Sequence, residues 1–241
     1  RICFSNSAMN IVLFESDEIG QPLVLSDERA KHILGVLGRQ KSDTFDAGVI
    51  DGKRGKATVD SIGTESISLS FDLQHEEPSL YPIDLIVGLS RPQTNRKILQ
   101  EATSMGVRSL SFVTTERGEA SYATSKLWTT REWRRHVVAG VVQAFTTRMP
   151  QVSFGISLKV ALEAKANAEV KIALDNYEAD LTLSEVDRGS DSIALALGSE
   201  RGWSGAEREM LREHHFQLAH LGPRPLRTET AVVAGIAVLL R

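Results

Sequence analysis

Apolar and polar residues alternate with a period of two along the first third of the chain, which predicts β-strands with one buried face. Turns that contain glycine, such as Asp51-Gly52 and Gly63-Thr64, separate these segments as β-hairpins require. One helix interrupts the strands, with Ser26 as its predicted N-cap and Gly38 at its predicted end. We therefore predict a small β-barrel domain with one helix over residues 1–73. The alternating segments are residues 11–14, 44–50, 56–62 and 66–73.

The pattern changes after residues 74–82, a polar segment with two prolines that we interpret as a linker. Continuous apolar runs of strand length then alternate with helical patterns over residues 95–105 and 129–146. Strands buried on both faces that alternate with helices are typical of a parallel sheet in an α/β domain. We predict such a domain over residues 83–241. Its strands are predicted at residues 83–89, 110–113, 170–174, 193–197 and 217–221.

Three local signals predict where helices of the second domain begin or end. Thr129-x-x-Glu132 and Ser204-x-x-Glu207 have the spacing of capping boxes, which mark helix N-termini. Gly106 follows an amphipathic segment and is predicted to end that helix.

Composition restricts the class of protein. The 241 residues are 41% hydrophobic and 24% charged, as in an ordinary globular chain, and their apolar runs are too short to span a membrane. No secretion signal is evident, so we expect a cytoplasmic protein without a membrane partner. The single cysteine, Cys3, excludes an internal disulfide framework. Residues 1–8 have no clear period and are interpreted equally well as an extension, an engineered remnant or a first strand.

The net charge of −3 argues by itself against a nucleic-acid partner, but the charge is unevenly distributed. Residues 91–150 carry a net charge of +6, between flanking regions in which acidic side chains outnumber basic ones. A basic middle region is compatible with one phosphate-binding face, although such charge runs are usually just solvated.

Several common motifs do not match. No G-x-G-x-x-G follows a predicted strand, and the segment 48–53 is one residue too short for a P-loop. Residues 202–205 lack the spacing of a nucleophile elbow. His214, His215 and His220 have no partner carboxylate at a metal-ligand spacing, so we predict no metal.

Two segments near the C-terminus each combine a strand end, a rigid loop and a helix start. Residues 198–204, the glycine loop, have the sequence Gly-Ser-Glu-Arg-Gly-Trp-Ser, and residues 221–230, the proline loop, begin Leu-Gly-Pro-Arg-Pro. Glycines let backbone amides approach a ligand, and helix N-termini offer unpaired N–H donors. Because α/β folds bind ligands beyond the carboxyl ends of neighbouring strands, the two loops together predict a binding site.

These loops resemble those of a known family. Residues 221–231, Leu-Gly-Pro-Arg-Pro-Leu-Arg-Thr-Glu-Thr-Ala, match almost residue for residue the most distinctive run of the RsmE family, which methylates N3 of a uridine in 16S ribosomal RNA. The glycine loop resembles that family's Gly-Pro-Glu-Gly-Gly segment. Further similarity covers nearly all of residues 10–241 and is carried by residues 25–32, 97–107, 115–117 and 143–148.

The resemblance implies a SPOUT-class methyltransferase with a C-terminal trefoil knot and an N-terminal PUA-like RNA-binding barrel. It also implies a homodimer that uses S-adenosyl-L-methionine and acts on 16S ribosomal RNA or the small ribosomal subunit. The cofactor-binding residues that it implies are Leu174, Gly198, Glu200, Gly202, Leu221, Gly222, Leu226, Thr228 and Thr230.

Three positions depart from the family pattern. Ser199 replaces a proline and Arg201 replaces a glycine, so the glycine loop is less constrained and bulkier. Arg201 could contact a phosphate or partly fill the pocket. In the first domain, Arg39 is displaced by one position from the expected arginine.

Methylation of uridine N3 requires removal of a weakly acidic imide proton and stabilisation of the resulting anion. Arg227 or Arg224 is the candidate for the base or a phosphate, and Glu229 or Glu200 for the proton. Glu229 also suits the first turn of a helix, where a carboxylate stabilises the dipole without any catalytic role. Candidate RNA-binding residues are Arg91, Lys97, Arg117, Arg148 and Arg224, with Arg96, Arg134 and Arg135 as further basic positions.

Two alternatives remain open from the sequence. The same class of enzyme could act on a different RNA site, for which the altered glycine loop leaves room. Alternatively, the fold could serve a non-catalytic RNA-binding or ribosome-assembly factor that has lost the cofactor.

Overall fold

A computed structural model of the chain describes residues 11–187 and 192–241. Residues 1–8, which the sequence pattern left open, lie outside the described residues. The chain forms two compact units. The first contains the described residues up to Ser79 together with Val141–Met149, and the second contains Leu80–Gly140 and Pro150–Arg241.

The first unit is built on a five-stranded sheet with the strand order β1-β3-β4-β5-β2. β1 is parallel to β3, and the other neighbours are antiparallel. Inward-facing side chains, among them Phe14, Phe45, Val59 and Ile67, form the core. The elements are β1 (Val12–Phe14), β2 (Leu23–Val24), α1 (Glu28–Lys31), β3 (Thr44–Val49), β4 (Arg54–Ile62) and β5 (Ser66–His75).

The N-cap predicted for the helix of this unit is wrong by one residue. Asp27, not Ser26, is the N-cap, because its carboxylate accepts a hydrogen bond from the backbone N–H of Arg29 at 2.8 Å. The helix continues as a π-helical turn over His32–Val36, and Gly38 follows with a φ of +62°.

The second unit holds a seven-stranded parallel sheet with the order β10-β12-β9-β11-β6-β7-β8. Its inner strands are apolar on both faces, as expected for a sheet covered by helices. The elements are β6 (Tyr81–Gly88), α2 (Pro92–Ser104), β7 (Val107–Thr114), α3 (Lys126–Thr129), α4 (Glu132–Gln143), β8 (Gln151–Ser157), α5 (Leu158–Ala164), β9 (Val170–Leu174), β10 (Leu181–Thr182), β11 (Ile193–Leu197), α6 (Gly205–Glu213), β12 (Gln217–His220) and α7 (Thr228–Leu239).

The helix predicted over residues 129–146 is present as α4, with narrower bounds. The chain forms α3 and α4, which are separated at Arg131 by a left-handed φ of +59°. The Thr129 hydroxyl donates to the carbonyl of Ser125 at 3.2 Å within α3, so it does not cap α4. In contrast, the capping box of Ser204 and Glu207 is present, and Gly106 ends α2 with a φ of +78°.

The parallel sheet and the mostly antiparallel first sheet confirm the predicted α/β class and its two-part architecture. The chain crossing that defines a trefoil knot stays a prediction. Within the described residues, no helix is long and apolar enough to cross a membrane.

Candidate cofactor and RNA site

The candidate site lies beyond four neighbouring strands in the sheet of the second unit, in the order β12-β9-β11-β6. These strands are parallel, so their carboxyl ends meet at one edge, and the loops that follow them converge there. The loops line a cavity of about 670 Å³. This volume lies within the range of roughly 300–1,000 Å³ that is common for small-molecule sites.

The glycine loop folds tightly across the end of β6. A Cβ atom added at Gly88 would lie only 2.4 Å from the backbone nitrogen of Ser199, and one added at Gly198 would lie 2.9 Å from Gly202. Gly202 has a φ of +66° and donates its N–H to the Ser199 carbonyl at 2.8 Å. Residues 88 and 198 must therefore be glycine because other backbone segments approach them closely. Residue 202 must be glycine because of its left-handed backbone conformation.

Side-chain contacts attach the glycine loop to the two neighbouring strand ends. The Glu200 carboxylate accepts a hydrogen bond from the backbone N–H of Arg91, the N-cap residue of α2, at 2.9 Å. On the other side, the indole N–H of the fully buried Trp203 donates to the carbonyl of Leu174 at 3.0 Å. These two bonds hold three segments of the cavity wall together.

Ser199 gives the cavity wall an unusual polar atom. The residue is buried, and its hydroxyl oxygen has no hydrogen-bond partner among the described residues. A buried hydroxyl without a partner is costly, which favours a ligand or water that completes its bonding. The unpaired Ser199 hydroxyl on the cavity wall fits a cofactor that carries polar groups, as S-adenosylmethionine does.

The loop after β9 contributes a buried ion pair and an exposed ring. Arg208 of α6 donates to the Asp175 carboxylate at 2.8 Å, and both side chains are almost completely buried. Asp175 also accepts the backbone N–H groups of Tyr177 and Glu178, at 2.8 and 2.7 Å. The conformation of this loop is thus fixed by the same carboxylate that neutralises Arg208.

Basic side chains surround the mouth of the cavity. No hydrogen bond or ion pair to the guanidinium groups of Arg91, Arg201 or Arg224 is found within residues 11–187 and 192–241, so these cations are available to an anion. Lys97 of α2 lies 3.3 Å from the carboxylate of Glu229 at the start of α7.

The carboxyl group of Glu229 is held in its ionised form. Burial disfavours ionisation, but the hydrogen bond from its own backbone N–H and the ammonium of Lys97 outweigh it and lower the pKa. Arg227 adds a further attraction. Glu229 is therefore a stable anion and a weak base.

Most of the predicted site residues meet at this cavity. The lining includes Leu174, Gly198, Glu200, Gly202, Leu221, Leu226, Thr228, Arg227, Glu229, Arg91, Lys97 and Arg224. Two predicted cofactor residues are not part of the lining. Gly222 turns the chain with a φ of +114° and donates its N–H to His220, and Thr230 is exposed on α7.

Two predicted RNA-binding arginines are also not in the lining. Arg117 is close by, since its guanidinium donates to the Arg201 carbonyl at 3.3 Å. Arg148 belongs to the first unit, where its guanidinium donates to the carbonyls of Asp51 and Glu77 at 2.9 and 3.1 Å. These bonds tie Arg148 to the first unit, and its contact with RNA stays a prediction.

Sequence reasoning missed Gly88 and Tyr177. Gly88 lies within the apolar run 83–89 as the last residue of β6, and nothing local distinguishes it from an ordinary strand glycine. Tyr177 lies outside every motif, and its position at the cavity follows only from the strand order. Among the described residues, no group of three or more His, Cys, Asp or Glu side chains is arranged to hold a metal ion.

Comparisons with known proteins identify the family of this chain. The family model described as an RNA methyltransferase domain matches residues 76–240. The ribosomal RNA small subunit methyltransferase E of Treponema pallidum is 34% identical over 96% of this chain and 91% of its own length. The enzyme of that name from Borreliella burgdorferi is 26% identical over 94% of this chain and 95% of its own length.

A solved structure has the same overall fold. The ribosomal RNA small subunit methyltransferase E from Neisseria gonorrhoeae, bound to S-adenosyl methionine, superposes with a TM-score of 0.79 and 26% identity. The superposition covers 95% of this chain and 96% of that one.

Proposed function

Because this chain belongs to the ribosomal RNA small subunit methyltransferase E family, we propose that it transfers a methyl group to N3 of a uridine in 16S ribosomal RNA. It is an RNA methyltransferase that depends on S-adenosylmethionine. The observation that carries the proposal is the cavity at the carboxyl ends of β12, β9, β11 and β6, whose lining combines the glycine loop and the unpaired Ser199 hydroxyl with unpaired guanidinium groups.

The cofactor is held by the glycine loop and by apolar side chains of the cavity lining. The glycine loop offers backbone groups at residues 198–202, and the orphan hydroxyl of Ser199 offers one further bond. Leu174, Leu221 and Leu226 supply apolar surface. When bound, S-adenosylmethionine supplies an activated methyl group on a sulfonium centre.

Arg227 is suited to stabilise the uridine anion. It is exposed at the cavity next to Glu229, and its guanidinium can donate to one of the two base oxygens beside N3, which carry the negative charge of the anion. Arg224 in the same loop is available for the neighbouring phosphate.

Glu200 is the better of the two candidate proton acceptors. One of its carboxylate oxygens is bonded to the backbone of Arg91, and its other oxygen has no hydrogen bond within the described residues. Glu229 pairs with Lys97, and its lowered pKa makes it a poor proton acceptor. We therefore assign proton acceptance to Glu200 and assign to Glu229 the orientation of Lys97 and Arg227.

A homodimer is part of the proposal, and α7 supports it. Residues 231–239 of α7 and the C-cap residue 240 are all apolar or glycine. A helix at a protein surface normally has a polar face. Val233 and Ala234 are only partly covered within one chain, and Ala237 is exposed. A second copy would cover this face, and sedimentation equilibrium tests the association. We also propose a cytoplasmic location, which a substrate in the small ribosomal subunit supports.

The decisive experiment uses the full chain, S-adenosylmethionine labelled in its methyl group, and small ribosomal subunits from cells that lack the gene. Nucleosides released from the RNA are then separated and identified by mass spectrometry. We expect labelled 3-methyluridine at one position of 16S ribosomal RNA. Label in another nucleoside, or label in another RNA only, would refute the proposed specificity. Failure to bind the cofactor in calorimetry would refute the proposed enzymatic activity.

A further inference from the structure

Tyr177 exposes an aromatic ring at the mouth of the cavity. The residue is 76% exposed, the largest fraction among the exposed large hydrophobic side chains of the described residues. It lines the cavity, on the loop after β9. Most tyrosines bury much of their ring, whereas this ring is exposed to water at a cavity entrance whose other residues are mostly charged. This exposure needs an explanation.

The ring is fixed from behind. The backbone N–H of Tyr177 donates to Asp175 at 2.8 Å, and the guanidinium carbon of Arg208 lies 5.3 Å from the ring centroid. Arg208 is itself buried and paired with Asp175 at 2.8 Å. A cation held against one face of a ring attracts it, so the ring is oriented before any ligand arrives.

The ring also lies beside the glycine loop. A Cβ atom added at Gly202 would lie 3.6 Å from Cε2 of Tyr177, which is ordinary van der Waals contact. Since glycine occupies this position, no side chain from residue 202 covers the ring.

We propose that Tyr177 is the stacking platform for a nucleobase of the RNA substrate at the entrance to the cavity, an inference that rests on the proposed function. The ring offers a flat aromatic surface, and the guanidinium groups of Arg201 and Arg224 at the same mouth offer sites for the backbone phosphates. This pairing of an aromatic face with nearby cations is the general arrangement by which proteins hold single-stranded nucleic acid.

The exposure of the ring favours the RNA over the adenine of the cofactor. Small-molecule sites enclose most of their ligand, whereas this ring remains largely in solvent. The surface assigned to the cofactor is a different part of the lining, formed by the glycine loop and by Leu174, Leu221 and Leu226.

Three substitutions separate stacking from other roles. Tyr177→Phe keeps the aromatic face, Tyr177→Leu keeps apolar bulk without it, and Tyr177→Ala removes both. Tyr81→Ala is the matched control, because Tyr81 is also an exposed tyrosine, at 54%, but it lies at the opposite end of β6. Each variant is produced as the full chain and checked for an unchanged thermal unfolding midpoint.

The measurements are the dissociation constant for unmethylated small ribosomal subunits, the KM for those subunits, and the dissociation constant for S-adenosylmethionine. Loss of one base stack should weaken RNA binding by roughly 5- to 150-fold in the alanine and leucine variants. The phenylalanine and Tyr81→Ala variants should remain within twofold of the parent, and cofactor binding should change less than twofold throughout.

The proposal is overturned if the leucine variant binds RNA as the parent does, or if cofactor binding weakens as much as RNA binding. Failure of the proposed function has a different signature: the parent enzyme then forms no 3-methyluridine. RNA binding by the parent and its variants is measured independently of that product, so the two failures are distinguishable.

Discussion

The Glu200 carboxylate accepts a hydrogen bond from the backbone N–H of Arg91 at 2.9 Å, although the two residues are 109 positions apart in the chain. They are brought together because β11 and β6 are adjacent and parallel, so that the loops beyond both strands start at the same edge of the sheet. The bond holds the glycine loop against the start of α2. The second carboxylate oxygen remains for the proton acceptance that we propose.

Glu200→Gln should separate the structural role of this carboxylate from its proposed role as proton acceptor. The amide oxygen can still accept the hydrogen bond from Arg91, whereas the capacity to take a proton is lost. We expect kcat to fall about 10²- to 10⁴-fold with cofactor affinity nearly unchanged, measured by single-turnover methyl transfer and by calorimetry. Glu229→Gln is the comparison and should reduce kcat much less. An active Glu200→Gln enzyme beside an inactive Glu229→Gln enzyme would reverse the assignment.

Gly88→Ala should damage the cofactor site without any change of charge. The new methyl group would lie 2.4 Å from the backbone nitrogen of Ser199, so the glycine loop must move. We expect S-adenosylmethionine to bind at least about 10-fold more weakly by calorimetry, since a backbone shift of this kind removes several aligned donors. Gly205→Ala, in the first turn of α6 with open space around its Cβ, is the control and should bind normally. Equal affinities of the two variants would contradict the close approach.

Arg201→Gly should weaken RNA binding in a way that depends on salt. Arg201 is an exposed cation at the cavity mouth with no ion-pair partner in the part of the chain that the structure describes. Removal of one phosphate contact reduces the slope of log K against log salt by about 0.7–0.9. Binding of small subunits measured between low and moderate salt should show this change, whereas Lys159→Ala, an exposed lysine outside the cavity lining, should not. A stronger affinity for S-adenosylmethionine in Arg201→Gly would instead mean that the side chain partly fills the cavity.

Acid should destabilise the second unit through Glu132. A hydrogen bond from Arg96 and a second one from His136 lower the pKa of this carboxyl group from its ordinary value of 4.5 to about 2. Between these two values the unfolded chain binds more protons than the folded one, so the stability from Glu132 is complete above pH 4.5 and is lost as the pH falls towards 2. Denaturant unfolding at a series of pH values should give a shallower acid slope for Glu132→Gln. The exposed Glu163→Gln control should retain the parent slope. An equal slope in both variants would show that Glu132 is not the source of the acid sensitivity.

The sequence was sufficient to predict most strands and the main site loops, because their signals are local. Residues 193–197 are apolar throughout, which predicts a strand buried on both faces, and β11 has these same bounds. The capping box at Ser204 forms because its glutamate lies one helical turn away in an already helical segment. The same spacing at Thr129 does not form a capping box, because Arg131 has a left-handed φ of +59° and α4 begins only at Glu132.

The positions of Tyr177, Gly88 and Arg148 could not be predicted, because each depends on contacts between distant segments. Tyr177 reaches the cavity only because β9 lies between β11 and β12. Gly88 matters because a loop that starts 110 residues later crosses it. Arg148 is basic in a basic region, and only its bonds to the carbonyls of Asp51 and Glu77 show that it serves the first unit.

The return of residues 141–149 to the first unit has a consequence for protein synthesis. The buried Thr147 donates its hydroxyl to the Gly52 carbonyl at 2.6 Å and accepts the N–H of Asp51 at 2.8 Å, and the backbone N–H of Met149 donates to the Asp51 carboxylate at 2.9 Å. Domains of a nascent chain generally fold as units, in the order in which they leave the ribosome. Here the contacts that residues 141–149 make with the N-terminal unit cannot form until residue 149 has emerged from the exit tunnel, by which time β6, β7 and α2 are already outside. An enzyme that modifies ribosomal RNA thus completes its first unit only after more than half of its own translation.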